Sequence, residues 1–164
     1  MDLRLTPDYR LLTLRDVEAD AAEGMDAAVV AASADVTGST GYVLVISVAQ
    51  DLIPVDVRLR VLGAGAPPAA PRHEHDIDFP SGRVRLGDTG VSGITGELAE
   101  GPGVYRIRVT ATGRAEAADA AHRFLRDHPD LPTAQWGDAL AAYAGLEHYL
   151  LELWRLGDSP EDDE

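Results

Sequence analysis

The sequence predicts a mainly β fold, an antiparallel β-sandwich of about seven or eight strands with a helical insertion before the last strand. Short runs of alternating apolar and polar residues recur up to residue 112, separated by Gly- and Pro-rich turns. Helical spacing is found in residues 115–146, and residues 146–154 are ambiguous. Because strands do not alternate with helices, an antiparallel sandwich is favoured over a parallel sheet. We expect one domain over 1–157 and a disordered acidic tail over 158–164.

The first predicted strands differ in character. Residues 9–14 form a short strand, and residues 16–26 follow as an acidic connector. Residues 27–34 read as a strand of small residues that ends in a turn cluster rich in Gly, Ser and Thr. Residues 42–48 are continuously apolar and β-branched, which predicts a strand buried on both faces.

The clearest strands alternate with period two, so one face of each is buried and the other is exposed. They cover residues 55–61, 73–79, 83–86 and 104–112, with a weaker strand near Ile94. Their predicted outward charged residues are Asp56, Arg58, Arg60, Glu74, Asp76, Asp78, Arg83, Arg85, Arg106 and Arg108. Residues 63–71 are predicted to be an irregular loop.

The insertion is predicted to contain two helices. Residues 115–127 are alanine-rich with apolar residues at helical spacing, and Thr133 is expected to cap a second helix that contains Trp136. Residues 146–154 fit either a helical stripe or a strand. The strand is preferred because of the resemblance given below.

The net negative charge of the chain disfavours some classes of binding partner. The formal net charge is −14, and all 14 basic residues are arginine. Residues 16–26 and 158–164 hold ten of the fourteen excess negative charges, so the rest of the chain is nearly balanced. This field disfavours generic binding to nucleic acid or to an anionic membrane, whereas a basic protein partner is compatible with it.

The chain contains no cysteine, which excludes disulfides and thiolate metal sites. Residues 1–10 show no signal-peptide pattern, and no apolar run reaches the length of a membrane span. We therefore expect a cytoplasmic protein. No nucleophile elbow, phosphate loop or placed carboxylate pair is recognisable, so neither catalysis nor a cofactor is predicted.

The outward charges are the most specific feature of the sequence. Six arginines lie on three predicted strands, and Glu74, Asp76 and Asp78 line a fourth. They form either a solvent-exposed face of ion pairs or a patch that binds a partner, and the order of the strands is needed to decide between them. The candidate partner-binding residues are Glu74, Asp76, Asp78, Arg106, Arg108 and Trp136.

His73 and His75 are weak metal candidates, because histidines two apart on a strand project together. Their predicted face also carries Ile77 and Phe79, which suits partly buried, hydrogen-bonded histidines equally well. No third ligand with suitable spacing is evident.

Residues 103–109, then Gly113-Arg114, then Glu147-His148-Tyr149-Leu150-Leu151-Glu152-Leu153-Trp154 resemble the closing strands of small β-sandwich proteins common in actinobacteria. That family is similar in outline to the competence protein ComJ, an inhibitor of a DNA-entry nuclease. The resemblance implies that the last segment is a strand and that residues 115–146 are inserted before it.

Three functions stay open. The first is a non-enzymatic, acidic protein-binding module, an inhibitor or immunity-type protein for a basic nuclease or toxin. The second is small-molecule or metal binding through His73 and His75. The third is a structural protein that self-associates through the helical insertion.

Overall fold

The computed structural model describes residues 1–18, 23–63, 73–90 and 92–160. Within these ranges it contains ten strands and three α-helices. The strands are β1 (Asp2–Leu5), β2 (Leu11–Asp16), β3 (Thr37–Ser39), β4 (Val43–Ser47), β5 (Val55–Val61), β6 (Glu74–Phe79), β7 (Arg83–Asp88), β8 (Gly93–Glu97), β9 (Gly103–Thr112) and β10 (His148–Gly157). The helices are α1 (Met25–Asp35), α2 (Arg114–Asp127) and α3 (Trp136–Ala141).

The strands form two five-stranded sheets. Sheet A has the order β1-β5-β10-β9-β6, and sheet B has the order β3-β4-β2-β7-β8. The mainly β, sandwich-like prediction is confirmed, but the strand count is ten in the described ranges, because β1 and β3 were not predicted. Sheet A is also mixed and not wholly antiparallel, since β10 runs parallel to β5 and antiparallel to β9.

The core lies between the two sheets. Alternation places Val55, Val57 and Leu59 of β5 inward, and it does the same for Tyr105, Ile107 and Val109 of β9. Leu12, Leu14, Leu44, Ile46, Val84 and Leu86 face them from sheet B. The inward and outward faces predicted for these strands agree with the structure.

Residues 27–34 are helical, so the predicted strand there is wrong. Ala28 and Ala32, four residues apart, pack on Val43 and Val45 of β4. A second layer therefore covers the outer side of sheet B at β4, which explains why β4 is buried on both faces as predicted. The exposed side of α1 is also apolar, with Val30 70% exposed, so the sequence shows no amphipathic period.

The predicted insertion is helical, and it lies in the link between the antiparallel neighbours β9 and β10. Phe124 and Leu140 pack with Ile53 in a small cluster separate from the main core. Thr133 does not cap the second helix. It begins a single 3₁₀ turn, and α3 starts three residues later without a side-chain cap.

Parts of the two acidic segments belong to the described residues. Asp16, predicted to lie in a connector, ends β2 and is fully buried, where it accepts hydrogen bonds from the backbone and hydroxyl of Ser81. Residues 19–22 and 161–164, and the predicted loop from residue 64 onwards, lie outside the described residues. None of the helices in the described ranges is long and apolar enough to cross a membrane.

Candidate partner-binding surface on sheet A

The outward-facing side chains of sheet A form a surface that we call the open face. In the described part of the chain no helix packs across it, because α1 contacts β3 and β4 of sheet B, and α2 and α3 surround Ile53. The outer face of sheet B, in contrast, carries α1. The open face is therefore not covered by a helix in the described ranges.

Strand register decides which charges meet on the open face. Glu74 of β6 lies opposite Arg108 of β9, and Asp76 lies opposite Arg106. Glu152 of β10 lies on the other side of Arg108. We call Glu74, Asp76, Asp78, Arg106, Arg108 and Glu152 the charge ladder. It carries four carboxylates and two guanidinium groups, so this half of the face is net negative.

The Asp76–Arg106 pair is bidentate. The Arg106 Nε lies 2.6 Å from Asp76 Oδ1, and Nη2 lies 2.8 Å from Oδ2. The hydrogen bond from Arg106 is the main reason that the pKa of Asp76 is below its ordinary value. Both side chains are more than 40% exposed, so the pair contributes little to stability and its groups are accessible.

The Glu74–Arg108 pair is more buried. Arg108 Nη2 lies 2.6 Å from Glu74 Oε1, and the guanidinium also stacks over Trp154, 5.3 Å from the ring centroid. This cation–π contact covers Trp154, an outward residue of β10 that is only 7% exposed. Trp154 is thus part of the open face, beneath the guanidinium of Arg108.

Asp78 lies at the end of the ladder that contacts Ser159, close to the last described residues. Its carboxylate accepts a 2.6 Å hydrogen bond from the Ser159 hydroxyl, and Arg155 pairs with Asp158 at 2.5 Å. Ser159 of the predicted tail therefore contacts the ladder, whereas Asp158 pairs with Arg155 outside it.

The other half of the open face contains a groove of about 790 Å³. Two ion pairs hold its rim, Arg4 with Asp56 and Arg58 with Asp2, both at 2.5 Å. The hydrogen bonds from these arginines are the main cause of the lowered pKa of each aspartate. Leu150, Thr110 and Thr112 are among the other lining residues.

The structure does not bring all six predicted arginines together. Arg58, Arg60, Arg106 and Arg108 belong to sheet A, whereas Arg83 and Arg85 lie on β7 of sheet B. Trp136 is also separate from the ladder. It packs edge-on against Phe124, and its Nε1 donates to the Leu131 carbonyl.

His75 connects the edges of the two sheets. Its Nδ1 lies 3.1 Å from the Ser39 hydroxyl and its Nε2 lies 2.9 Å from that of Thr37, so both ring nitrogens are hydrogen-bonded. The Nδ1 of His73 is buried without a hydrogen-bond partner in the described ranges. These ranges hold no cluster of three potential metal ligands.

Sequence reasoning missed a buried polar cluster at the start of β10. Glu147 is fully buried and accepts hydrogen bonds from the Ala49 amide at 2.7 Å and from the Tyr149 hydroxyl at 2.5 Å. Arg114 donates to the same hydroxyl and to the Ser47 carbonyl. One glutamate among 28 acidic residues carries no local signal that it is buried.

In the described ranges, these features define a mainly β, two-sheet sandwich in which the outer side of sheet A is the open face. Among solved structures, the chain is similar to "ComJ, inhibitor of the DNA degrading activity of NucA, from Bacillus subtilis", with 9% identity, a TM-score of 0.55, and coverage of 95% of this chain and 96% of that one. It is also similar to "Crocagin biosynthetic gene J", with 14% identity, a TM-score of 0.54 and 96% coverage of both chains. At these identities the likeness shows the fold. No family model matches the chain, and neither does any curated protein sequence.

Proposed function

We propose that this protein is a non-enzymatic protein-binding module of the inhibitor type, and that the charge ladder is its contact surface for a basic protein such as a nuclease or toxin. The observation that carries the proposal is the open face itself, a five-stranded surface with ordered charges and no covering helix in the described ranges. The ComJ-like fold supports it, because ComJ is described as an inhibitor of a DNA-degrading protein.

The arrangement of the ladder suits recognition. Side chains already held by ion pairs lose less conformational entropy on binding than free ones. Their alternating signs favour one register of a partner and repel others. The excess of carboxylates on the ladder and the net charge of −14 both favour a partner with a basic surface.

The test is a pull-down from a lysate of the native cells at low and at high salt, with the recovered proteins identified by mass spectrometry. The informative variant exchanges one ladder pair, Asp76→Arg with Arg106→Asp, which keeps the internal ion pair but reverses its polarity. The matched control exchanges the exposed pair Arg126 and Asp127 on α2.

A basic protein should be retained by the wild type and by the control, weakened at high salt, and lost with the ladder exchange. The recovered protein should also lose its nuclease or toxic activity on addition of the wild type. Recovery of no partner at either salt concentration, or equal recovery with the ladder exchange, would contradict the proposal.

A further inference from the structure

We propose that the groove on the open face binds a small amphipathic oxyanion, a carboxylate or phosphate attached to an apolar body. This inference goes beyond the proposed partner binding and uses the opposite half of the face. The volume of about 790 Å³ lies within the ~300–1,000 Å³ typical of small-molecule sites.

The charge of the groove differs from that of the rest of the chain. Three arginines, Arg4, Arg58 and Arg60, line it against two aspartates, although the chain has twice as many acidic as basic residues. Both aspartates already bind Arg4 and Arg58. Among the charged side chains that line the groove, three guanidinium groups face two carboxylates, so one positive charge is in excess.

Arg60 supplies that excess. It is exposed, and within the described ranges no carboxylate lies at ion-pair distance from it, although Glu152 is its cross-strand neighbour. Arg58 points from the same face of β5, two residues or ~7 Å away. Arg58 donates to Asp2 through its Nε, and within the described ranges its terminal nitrogens have no hydrogen-bond acceptor, so they can donate to a ligand. Paired guanidinium groups suit bidentate binding of an oxyanion.

The remaining lining favours a ligand with an apolar body. Leu150 of the central strand β10 lies opposite Arg58 on one side and Thr110 on the other. The hydroxyls of Thr110 and Thr112 can donate to a second polar group. An apolar floor between arginines and hydroxyls is the usual composition of a small-ligand site.

The test is an NMR titration of the amide resonances of the full chain with three probes: benzoate, phenyl phosphate and inorganic phosphate. A saturable shift of the Leu150, Thr110 and β5 amides with either organic probe supports the site and assigns its preferred head group. Inorganic phosphate should bind more weakly because it lacks the apolar body.

Arg60→Gln should weaken the binding of the organic probe by about tenfold or more, since it removes charged hydrogen bonds. Arg126→Gln on α2 is the matched control and should bind as the wild type does. Because Arg60 is exposed and makes no ion pair in the described ranges, its substitution should leave the spectrum dispersed. Absence of a saturable shift, equal affinity of the two variants, or equal binding of inorganic phosphate would overturn the proposal.

Discussion

Glu147 and Tyr149 join their side chains by a 2.5 Å hydrogen bond at the start of β10, where both residues are almost completely buried. The same carboxylate accepts from the Ala49 amide in the β4–β5 link, and Arg114 at the start of α2 donates to the tyrosine hydroxyl. One polar cluster thus ties the helical insertion, a loop and the central strand of sheet A together.

Glu147→Ala is expected to destabilise the protein by about 3 kcal/mol, because it leaves the buried Ala49 amide and the Tyr149 hydroxyl without their acceptor. It also removes the buried carboxylate that lies 3.7 Å from the Arg114 guanidinium. Glu147→Gln keeps the shape and one acceptor, and it should cost less. Urea unfolding measures both free energies. Glu152→Ala, on the open face of the same strand, is the matched control and should change stability by less than about 1 kcal/mol. Equal losses for Glu147→Ala and Glu152→Ala would refute a structural role for the cluster.

Tyr149 should make the protein sensitive to alkali. Burial, followed by the hydrogen bond to Glu147, raises the pKa of its hydroxyl above the usual value of about 10. The unfolded chain therefore loses this proton at a lower pH than the folded chain does. The stabilisation from the protonated Tyr149 hydroxyl is complete below about pH 10 and is lost as the pH rises further.

Unfolding free energies measured at pH 8, 10 and 11 should consequently fall less steeply for Tyr149→Phe than for the wild type. Tyr9→Phe, at a position that is 86% exposed, should follow the wild type. Parallel curves for Tyr149→Phe and the wild type would show that the hydroxyl does not couple to folding.

His75 should make the free energy of unfolding sensitive to acid. Burial, then the neighbouring His73, lowers the pKa of His75, while Asp76 and Asp35 oppose the shift. The folded state therefore resists protonation. The contribution of neutral His75 to stability is present above the pKa of histidine in the unfolded chain, about 6.5, and is lost as the pH falls below that value.

His75→Gln retains the capacity to hydrogen-bond with Thr37 and Ser39 but cannot titrate. It should reduce the difference between the unfolding free energies at pH 7.5 and pH 5. His122→Gln, at an exposed position on α2, is the control. An unchanged difference in His75→Gln would exclude this histidine as the source.

Gly38 allows α1 to approach β3. A Cβ at this position would lie 2.2 Å from the Ala28 carbonyl oxygen, so Gly38→Ala should displace the helix and destabilise the protein by about 1–3 kcal/mol. At Gly137 in α3, such a Cβ would meet no atom of the described residues within 4 Å, apart from its chain neighbours and the backbone of its own helix. Gly137→Ala should therefore be neutral or stabilising by up to about 1 kcal/mol. Similar effects of the two substitutions on thermal unfolding would contradict the close packing of α1.

Local patterns predicted much of the fold. The strands at 55–61, 73–79 and 104–112 and the helix at 115–127 follow from apolar spacing, which depends only on neighbours in sequence. The strand predicted for residues 27–34 was wrong because alanine and valine lie on both sides of α1, so the sequence shows no helical period there. β1 and β3, which have four and three residues, are too short for alternation to be recognised.

The residues of the candidate surface could be predicted from sequence, but their arrangement on the surface could not. Sequence identified Glu74, Asp76, Arg106 and Arg108 as outward-facing, and the structure shows that they pair on one face. The same reasoning grouped Arg83 with them, although β7 belongs to the other sheet. The groove combines β1, β5, β9 and β10, which are distant in sequence, so no local pattern indicates it.

The sequence by itself determined which side of each long strand is buried, where the helical insertion lies, and how acidic the chain is. Only the tertiary structure decided which strands are neighbours, and hence that Arg106 meets Asp76, that β10 lies parallel to β5, and that Glu147 is buried. Side-chain alternation comes from the geometry of one strand, whereas these contacts depend on long-range packing of the whole core.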